Sequence, residues 1–470
     1  MFRNLLIVFL LSFIKLQAQL PYSETQFSYD SLLNVPYGMA QNHNGQNVPL
    51  LLDIYKPIND ANCRRPAVIL VHGGAWIAGS KQDPGILYLA REFARRGWVA
   101  AAINYRLGMH NTSNYNMYAL CNNQISAPCA YISDSSEVFR AIFRAMQDTK
   151  GAIRFMKARN ELDSTDVNNF FVVGESAGGF AALATAFMIS EEQKPIQCSE
   201  ISDAVVPSPN LAPFGCIPTN LNRSRPDLGS VNGSLHSNAG FDASVQGVGN
   251  FFGGLMSLDL LNIPNPKPVL YGYHQGSDVV VHWRYGRLLG RISWECYAPL
   301  NICQPYFNMP YAHGNDAIRS YVEQMENAPQ YHFDIVNNYN NMNDCGANGH
   351  SINNRPQRLQ NMIDLFCSRV AANGNIPPVS CSPTSVNQGL ESPTLTIYPN
   401  PANEWMKVKL LNSDQKSVRV RIISIQGKEL QAFEMNSHEA LVDISGLPDG
   451  LHLIVSDELR IRRLFNKQRQ

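Results

Sequence analysis

The stretch FVVGESAGGF, Phe171–Phe180, decides how the rest of the chain is interpreted. Apolar residues 170–173 run directly into Gly-Glu-Ser-Ala-Gly-Gly, and the alanine-rich run FAALATAF follows at once. A short apolar run bounded by glycines is typical of a buried parallel strand, and alanine is the strongest helix former. The sequence therefore predicts a sharp strand-to-helix turn with Ser176 at its apex.

Residues 174–178 of this turn fit the pattern G-x-S-x-G, which exposes a serine hydroxyl above a sheet. A side chain at Gly174 or Gly178 would clash with the neighbouring strand and helix, so both positions require glycine. The positive end of the following helix would stabilise a negative oxygen formed beside the serine. A glycine-serine turn without chemistry is the alternative, and the strand-to-helix context favours Ser176 as a nucleophile.

A second pair of glycines lies upstream in HGGAW, His72–Trp76, where the apolar strand PAVILV ends. Successive glycines leave backbone N–H groups free to point into a cleft, where two or three donors can hold the oxyanion of a tetrahedral intermediate. We expect these donors to be the amides of Gly73, Gly74 and Ala177. His72 itself is expected to brace the loop, and a tight turn with a structural histidine is the alternative interpretation.

Strands and helices alternate from about Val48 to Val370, which predicts an α/β fold with a doubly wound, mostly parallel sheet covered on both faces. Three segments break this alternation and are predicted to be long loops over the ends of the sheet: 107–134, 207–250 and 291–314. The predicted strands lie at 50–55, 66–74, 97–106, 170–174, 267–278 and 331–336, and the predicted helices at 84–96, 135–159, 180–189 and 358–370.

Length and charge narrow the classes of partner. The chain has 470 residues, which is long for one ordinary domain. Lys+Arg and Asp+Glu both number 38, so the formal net charge is +0. Without a basic excess, binding to nucleic acid or to an anionic membrane is not expected. A neutral or small-molecule partner is favoured.

Residues 1–19 have the outline of a secretory signal peptide. Arg3 precedes the apolar run Leu5–Ile14, and small and polar residues follow near Ala18. A membrane anchor is the alternative, but the run is short for a bilayer and Lys15 ends it. We therefore expect cleavage of this segment, with no transmembrane anchor afterwards.

The chain has ten cysteines, and an exported protein meets an oxidising compartment, so disulfides are expected. Spacing does not fix their connectivity. The candidate pairs are Cys121–Cys129, Cys198–Cys216, Cys296–Cys303, and Cys345 with either Cys367 or Cys381. A metal site is the alternative, but the sequence has no C-x-x-C spacing.

The composition changes near residue 373. Residues 373–392 are rich in Pro, Ser, Asn and Gly without an apolar period, which indicates a linker. Residues 393–470 alternate with period two between turn residues, which predicts a small all-β, Ig-like sandwich. The expected catalytic domain is then 20–372.

Three motifs carry a resemblance that covers roughly residues 35–372. HGGAW with Gly79-Ser80, NYR at 104–106 and GESAGG at 174–179 resemble the α/β-hydrolase esterases and lipases, above all the HGG-bearing carboxylesterase and hormone-sensitive-lipase-like branches. Many relatives have a third glycine where this chain has Ala75. The resemblance implies a Ser-His-Asp triad, an acyl-enzyme and no cofactor or metal.

In this fold the nucleophile is followed along the chain by the acid and then by the histidine. The resemblance places the acid at Asp278, in HQGSDVVV after the strand PVLYGY, because the family has its acid in a similar D-x-x-V setting. It places the base at His350, in the loop CGANGHSI between the last strand and the last helix. For Asp278 the alternative is a helix cap.

Other residues compete for both roles. Asp242 and Asp259 are less well placed after a strand. The competing histidines lie within a strand, in the terminal domain or outside the expected window: His332, His438, His452, His43 and His110. His274 and His282 flank Asp278 at four-residue spacing, which suggests a metal site, but the helix-breaking Gly276-Ser277 argues against it.

The terminal region carries a second resemblance. YPNP at 398–401, SIQGK at 424–428 and LPDG at 447–450, with a basic end, resemble the C-terminal sorting domain of type IX secretion. This implies a partner in the secretion machinery and a secreted or cell-surface location. A carbohydrate-binding sandwich is the alternative, and the cluster of exposed aromatic residues that it needs is not evident in the sequence.

Together these features predict a secreted serine hydrolase that cleaves carboxylic esters. A serine peptidase of the same fold is one alternative, but it would carry a propeller or a large lid domain, and no repeat pattern is present. A hydrolase-like surface binding protein is the other, but it would have lost a member of the triad.

Overall fold

The computed structural model describes residues 20–110, 134–202, 224–290, 309–338, 349–372, 394–398, 402–411, 415, 417–424, 428–456, 458–459 and 461–467. The chain divides into two compact units, Met1–Cys381 and Ser382–Gln470. The expected signal peptide and linker lie outside the described residues. Within the described ranges, no helix has the length and apolarity needed to cross a bilayer.

The first unit contains an eight-stranded sheet in the order β1-β2-β4-β3-β5-β6-β8-β11. The pairs β1–β2 and β2–β4 are antiparallel, and all other neighbours in this sheet are parallel. Strands β7, β10 and β9 form a separate antiparallel ribbon. The strands are β1 Tyr29–Gln41, β2 Asn47–Pro57, β3 Arg65–Val71, β4 Val99–Ile103, β5 Thr165–Glu175, β6 Gly247–Phe251, β7 Gly254–Leu255, β8 Val269–Gln275, β9 Tyr285–Arg287, β10 Tyr311–Gly314 and β11 Tyr331–Val336.

Helices cover both faces of this sheet. The helices are α1 Pro84–Arg95, α2 Ser136–Ala158, α3 Asn160–Asp163, α4 Ala177–Phe187, α5 Asn315–Val322 and α6 Arg355–Ala372. Strand β3 is buried throughout, and its side chains alternate between two cores. Ile69 packs in the core shared with α2 and α4, whereas Leu70 packs in the core shared with α1 and α6. The predicted doubly wound, mostly parallel sheet is therefore confirmed.

Five strands of the first unit depart from the prediction, and two of them, β7 and β9, are short strands that no predicted strand covers. Strand β1 was not predicted, and β6 and β10 lie in segments predicted to be loops. Strand β6 is not recognisable in the sequence, because two of the five residues in GVGNF are glycines and the segment lacks the apolar run of a buried strand. A Cβ at Gly247 would come within 2.8 Å of the Phe171 ring and 2.7 Å of the Val269 side chain. Close packing thus replaces side-chain bulk at this position in the sheet.

The second unit consists of two antiparallel sheets, β12-β13-β16 and β15-β14-β17-β18. Along β13, buried Met406 and Val408 alternate with exposed Trp405 and Lys407, which is the pattern of a sheet with one face in a core. The predicted small all-β fold is confirmed. The strands are β12 Thr394–Tyr398, β13 Trp405–Leu411, β14 Val418–Ser424, β15 Glu429–Met435, β16 Glu439–Asp443, β17 Gly450–Ser456 and β18 Ile461–Lys467.

Two of the expected cysteine pairings are wrong. Cys198 and Cys367 are buried free thiols, which excludes Cys198–Cys216 and Cys345–Cys367. Both side chains serve as core residues, and burial raises the pKa of the Cys198 thiol to about 12. Cys63, by contrast, is disulfide-bonded. The pairs Cys121–Cys129, Cys296–Cys303 and Cys345–Cys381 lie outside the described residues.

Candidate active site

Ser176 lies on a sharp turn between β5 and α4. Its backbone has φ 55 and ψ −121, a conformation that non-glycine residues rarely adopt. A Cβ at Gly174 would overlap the carbonyl of Gly178, and a Cβ at Gly178 would overlap the carbonyl of Val71 at the end of β3. The glycines of the motif therefore let the turn close against the neighbouring strand.

Ser176, His350 and Asp278 form one line of hydrogen bonds. Nε2 of His350 lies 2.8 Å from Oγ of Ser176, and Nδ1 lies 2.8 Å from Oδ2 of Asp278. Because an ionised carboxylate only accepts hydrogen bonds, Nδ1 carries the proton and Nε2 accepts the serine hydroxyl. The His350 side chain is 15% exposed and that of Asp278 is 0% exposed. This arrangement allows the Ser176 hydroxyl to give its proton to Nε2 of His350, while the buried carboxylate of Asp278 holds the other side of the ring.

The Asp278 carboxylate has four donors. Oδ1 accepts from the amides of Val280 and Val281 at 2.8 and 2.9 Å, and Oδ2 accepts from His350 and, at 3.1 Å, from Nε2 of His274. Burial would raise the pKa of this carboxyl, but the charges and hydrogen bonds of His350 and His274 hold it well below its usual range. The Asp278 carboxyl group is therefore ionised at neutral pH.

Side chains from β8 hold the loop that carries His350. Nε2 of Gln275 donates to the carbonyls of Gly349 and Ser351 at 3.1 and 2.8 Å. The hydroxyl of Tyr273 accepts from the Asn353 amide at 2.9 Å. These bonds fix the backbone on both sides of His350, and its ring packs edge-on against Phe252 at 4.6 Å.

The glycine loop at 72–76 borders the serine. A Cβ at Gly73 would lie 3.1 Å from the Cβ of Ser176, and Gly74 has φ +105 with no room for a side chain beside Ala78. Neither glycine amide donates to a backbone carbonyl within the described ranges. Ala177 is the first residue of α4, so its amide has no partner inside the helix. Gly73 and Ala177 therefore lie next to Ser176, and Gly74 follows Gly73 in the glycine loop.

His72 occupies the base of the glycine loop. It is buried, its Nδ1 donates to the Gly73 carbonyl at 2.7 Å, and its ring stacks on Tyr105 at 4.4 Å. The Tyr105 hydroxyl donates to the His72 carbonyl at 3.1 Å. Burial lowers the pKa of His72, so it stays neutral. Its contacts are those of a residue that braces the loop.

The competing residues lie in other contacts. Asp242 pairs with Lys157 at 2.6 Å, and the Asp259 amide donates to Ser257. His332 contacts Asp334 at 3.2 Å. Nδ1 of His282 accepts from the Arg284 amide. Across the part of the chain that the structure describes, no group of three or more His, Cys, Asp or Glu side chains could hold a metal ion.

Sequence reasoning missed the supports of the site. The sequence places Gln275 and Tyr273 only within a predicted strand, and it suggests His274 only as a metal ligand. Their position immediately before Gly-Ser-Asp278 was the available signal, because residues at the carboxyl end of a parallel strand meet the neighbouring loops. Asn250 had no signal because it is the last residue of a segment predicted to be a loop, and Asn315 had none because it lies outside every predicted element.

Comparisons with known proteins give two family matches and a curated relative. Residues 52–140 match the family described as BD-FAE, and residues 396–459 match the family described as the secretion system C-terminal sorting domain. A curated relative, Esterase LipC of Mycobacterium tuberculosis (strain ATCC 25618 / H37Rv), is 26% identical over 162 residues. That match covers 34% of this chain and 33% of the relative, so it spans about a third of the relative's length.

Two esterases are among the solved structures that the comparison matched to this chain. One is a truncated form of a carbohydrate esterase from gut microbiota, with a TM-score of 0.38, 14% identity, and coverage of 74% of this chain and 98% of the other. The other is the propionate-bound Est2 esterase of the Planctomycetes species Thermogutta terrifontis, with a TM-score of 0.39, 17% identity, and coverage of 76% and 98%.

The two family matches fall in different units of the chain. The BD-FAE match begins in β2 and ends in α2, and so it contains the glycine loop at 72–76. The second match falls within the all-β unit, whose sequence motifs gave the same identification. The chain thus carries an α/β-hydrolase domain of the esterase type followed by a type IX secretion sorting domain.

Proposed function

We propose that the first unit is a serine hydrolase that cleaves carboxylic esters, with Ser176 as nucleophile, His350 as base and Asp278 as its orienting acid. One observation carries this proposal: Nε2 and Nδ1 of the His350 ring lie 2.8 Å from Ser176 Oγ and 2.8 Å from Asp278 Oδ2. A serine hydroxyl is a weak nucleophile until such a base accepts its proton.

The first half of the reaction forms an acyl-enzyme. Oγ of Ser176 attacks the ester carbonyl while its proton moves to Nε2 of His350. The amides of Gly73, Gly74 and Ala177 receive the negative carbonyl oxygen, and each such donor is worth roughly 3 kcal/mol of barrier. Asp278 stays ionised, accepts the hydrogen bond from Nδ1–H and so stabilises the imidazolium. The alcohol then leaves with the proton from Nε2.

The second half releases the acid. Water replaces the alcohol, gives its proton to Nε2 of His350 and attacks the acyl carbon. The tetrahedral intermediate collapses with return of the proton to Ser176 Oγ. Every proton is carried by His350, so the chemistry uses no cofactor. The partner is therefore an ester, as a small molecule or as an acyl group on a polymer.

The second unit directs the protein out of the cell. The sorting-domain match indicates export and a secreted or cell-surface location. We propose that the partner of this unit is the type IX secretion machinery, reached after cleavage of residues 1–19. Linker residues 373–392 would leave the hydrolase at 20–372 to fold apart from the sandwich at 393–470.

A comparison of two serine variants tests the proposed chemistry. Ser176→Ala removes the nucleophile, and we expect turnover of p-nitrophenyl acetate and butyrate to fall roughly 10⁴- to 10⁶-fold, because the triad acts as a unit. Ser237→Ala changes an exposed serine in the same unit and is expected to match the wild type. Folding of both variants is checked by thermal denaturation. A Ser176→Ala protein that keeps a tenth of wild-type turnover contradicts the proposal.

A further inference from the structure

His274 is a second histidine on the acid of the triad. It is the last residue but one of β8, four residues before Asp278, and its side chain and that of Asp278 are both 0% exposed. Its Nδ1 accepts from the Asn315 amide at 3.2 Å. A nitrogen that accepts carries no proton, so the proton of the neutral ring lies on Nε2. Nε2 can then donate to Asp278 Oδ2 at 3.1 Å and to the Val281 carbonyl at 2.9 Å.

The residue that sets this tautomer is itself fixed. Asn315 is the first residue of α5, and its Nδ2 donates to the carbonyls of Tyr273 at 2.8 Å and Asn250 at 3.1 Å. Its Oδ1 accepts from Nδ2 of Asn250 at 2.8 Å. Both asparagines are fully buried. Strands β6 and β8 therefore hold the amide that directs the His274 proton toward Asp278.

His274 and His350 both donate hydrogen bonds to Oδ2 of Asp278. The amides of Val280 and Val281 occupy Oδ1, while His274 and His350 occupy Oδ2. A carboxylate oxygen has about two lone-pair sites, so the bond from His274 leaves the other site for Nδ1 of His350. The direction of the His350 ring thus depends on a donor that touches neither serine nor substrate.

We propose that His274 is a positioning residue for the ester hydrolysis proposed above: its Nε2–H fixes the Asp278 carboxylate in the rotation that aims His350 at Ser176. This inference rests on the proposed function and assigns a role to a residue outside the triad. A purely structural role is the competing explanation. In that case the important contact would be the Nδ1 bond to Asn315.

Two amide substitutions separate these contacts. In His274→Gln, the side-chain amide reaches the place of Nε2 and can donate to Asp278, but nothing replaces Nδ1. In His274→Asn, the shorter amide oxygen reaches the place of Nδ1 and can accept from Asn315, but no donor reaches Asp278. His274→Gln therefore keeps the contact to Asp278 and loses the contact to Asn315, whereas His274→Asn does the opposite. Both variants have a side-chain amide, so the polarity of the site is nearly the same.

The first measurement is steady-state hydrolysis of p-nitrophenyl butyrate. We expect kcat of His274→Asn to fall roughly 10- to 100-fold with KM unchanged, the size of effect that follows a misplaced catalytic group. His274→Gln should keep kcat within about threefold of the wild type, as rescue by a donor at the same place. The reverse order, with the Asn variant active and the Gln variant impaired, would overturn the positioning role.

A second measurement does not depend on turnover. The proton on Nδ1 of His350 is observed by NMR in protein with nitrogen-15-labelled histidine, and its resonance reports the bond to Asp278. We expect the resonance to keep its position in His274→Gln and to shift or broaden in His274→Asn. An unchanged resonance in both variants would overturn the inference. The wild type could hydrolyse no ester while the resonance still stays in place in His274→Gln and shifts in His274→Asn. That result would contradict the proposed function and would support the positioning role of His274.

Discussion

The serine turn and the histidine loop are joined by the hydrogen bond between Ser176 and His350, yet they are held in different ways. The serine turn is shaped by its own backbone. Gly174 and Gly178 let β5 and α4 approach each other and β3, and the Ser176 amide donates to the Phe251 carbonyl at 2.9 Å. All of the unusual residue requirements fall within five consecutive positions, 174–178.

The histidine loop is shaped by distant side chains. Gln275 and Tyr273 hold its backbone from β8, more than seventy positions earlier in the chain. Arg355, at the start of α6, pairs at 2.6 Å with Glu175, which precedes Ser176. Each of these residues is unremarkable in its own local sequence, since a glutamine or tyrosine in a strand signals nothing by itself.

The contrast between the serine turn and the histidine loop shows which parts of a candidate site can be recognised in a sequence. A strained turn requires particular residues at adjacent positions, and this leaves a motif. A loop that side chains hold at long range requires only that the fold bring them together. We therefore expect the serine turn to fail abruptly when it is altered and the histidine loop to lose function by degrees.

The largest effect is expected from Gly178→Ala. The added Cβ would overlap the carbonyl oxygens of Val71 and His72, which belong to the rigid end of β3. Backbone atoms cannot move aside cheaply, so we expect the free energy of unfolding to fall by about 4 kcal/mol or more and turnover to be lost. Thermal denaturation and ester hydrolysis measure the two losses together.

Gly45→Ala is the matched control for that variant. Gly45 has φ +77, and no described atom lies within 4 Å of the Cβ that alanine would add. The cost is only that of the backbone conformation, about 1 to 2 kcal/mol. Turnover should be unchanged. Equal stability of the two alanine variants would contradict the close approach at Gly178.

A smaller effect is expected from Gln275→Leu in the histidine loop. The substitution removes the donor for the carbonyls of Gly349 and Ser351, and the cost of two unpaired groups is about 1 to 3 kcal/mol each when they stay buried. We expect the loop to loosen and kcat to fall roughly tenfold while the protein stays folded. Gln330→Leu, at an exposed glutamine, provides the control. Wild-type kcat in Gln275→Leu would show that the loop needs no such support.

The smallest effect is expected at the ion pair between the two regions. The side chains of Arg355 and Glu175 are 27% and 14% exposed, so solvent screens their attraction. A double-mutant cycle of Arg355→Met and Glu175→Gln should give a coupling free energy of about 0.2 to 1 kcal/mol for unfolding. High salt should reduce it. A coupling free energy of several kcal/mol would mean that this pair, rather than Gln275, fixes the loop.

Much of the fold was predictable from sequence, and the exceptions have physical causes. The apolar runs of β3 and β5 and the glycines around Ser176 indicate a mostly parallel sheet with a sharp strand-to-helix turn at Ser176, and the structure has both. Strand β6 escaped notice because Gly247 and Gly249 give close packing instead of apolar bulk. The free thiol of Cys198 was not predictable, because the spacing of cysteines does not distinguish a buried thiol from one half of a disulfide.

The candidate site divides in the same way. Ser176, Asp278 and His350 could be selected from motifs and chain order, and the structure brings the three side chains together. His274 and Asn315 could not be selected, because the bond that joins them spans 41 positions and involves a backbone amide. Residues that support a site through such bonds leave no pattern in one sequence.

The central claim is that Ser176 is the nucleophile of an ester hydrolase, and covalent labelling tests it most directly. The purified full-length protein is incubated with a fluorophosphonate, and mass spectrometry of its peptides locates the phosphonyl group while p-nitrophenyl butyrate hydrolysis is followed in the same samples. We expect one phosphonyl group per chain, on Ser176, with hydrolysis lost in proportion to labelling, and much slower labelling in His350→Ala. A label at another residue, or hydrolysis that survives complete labelling of Ser176, would contradict the claim.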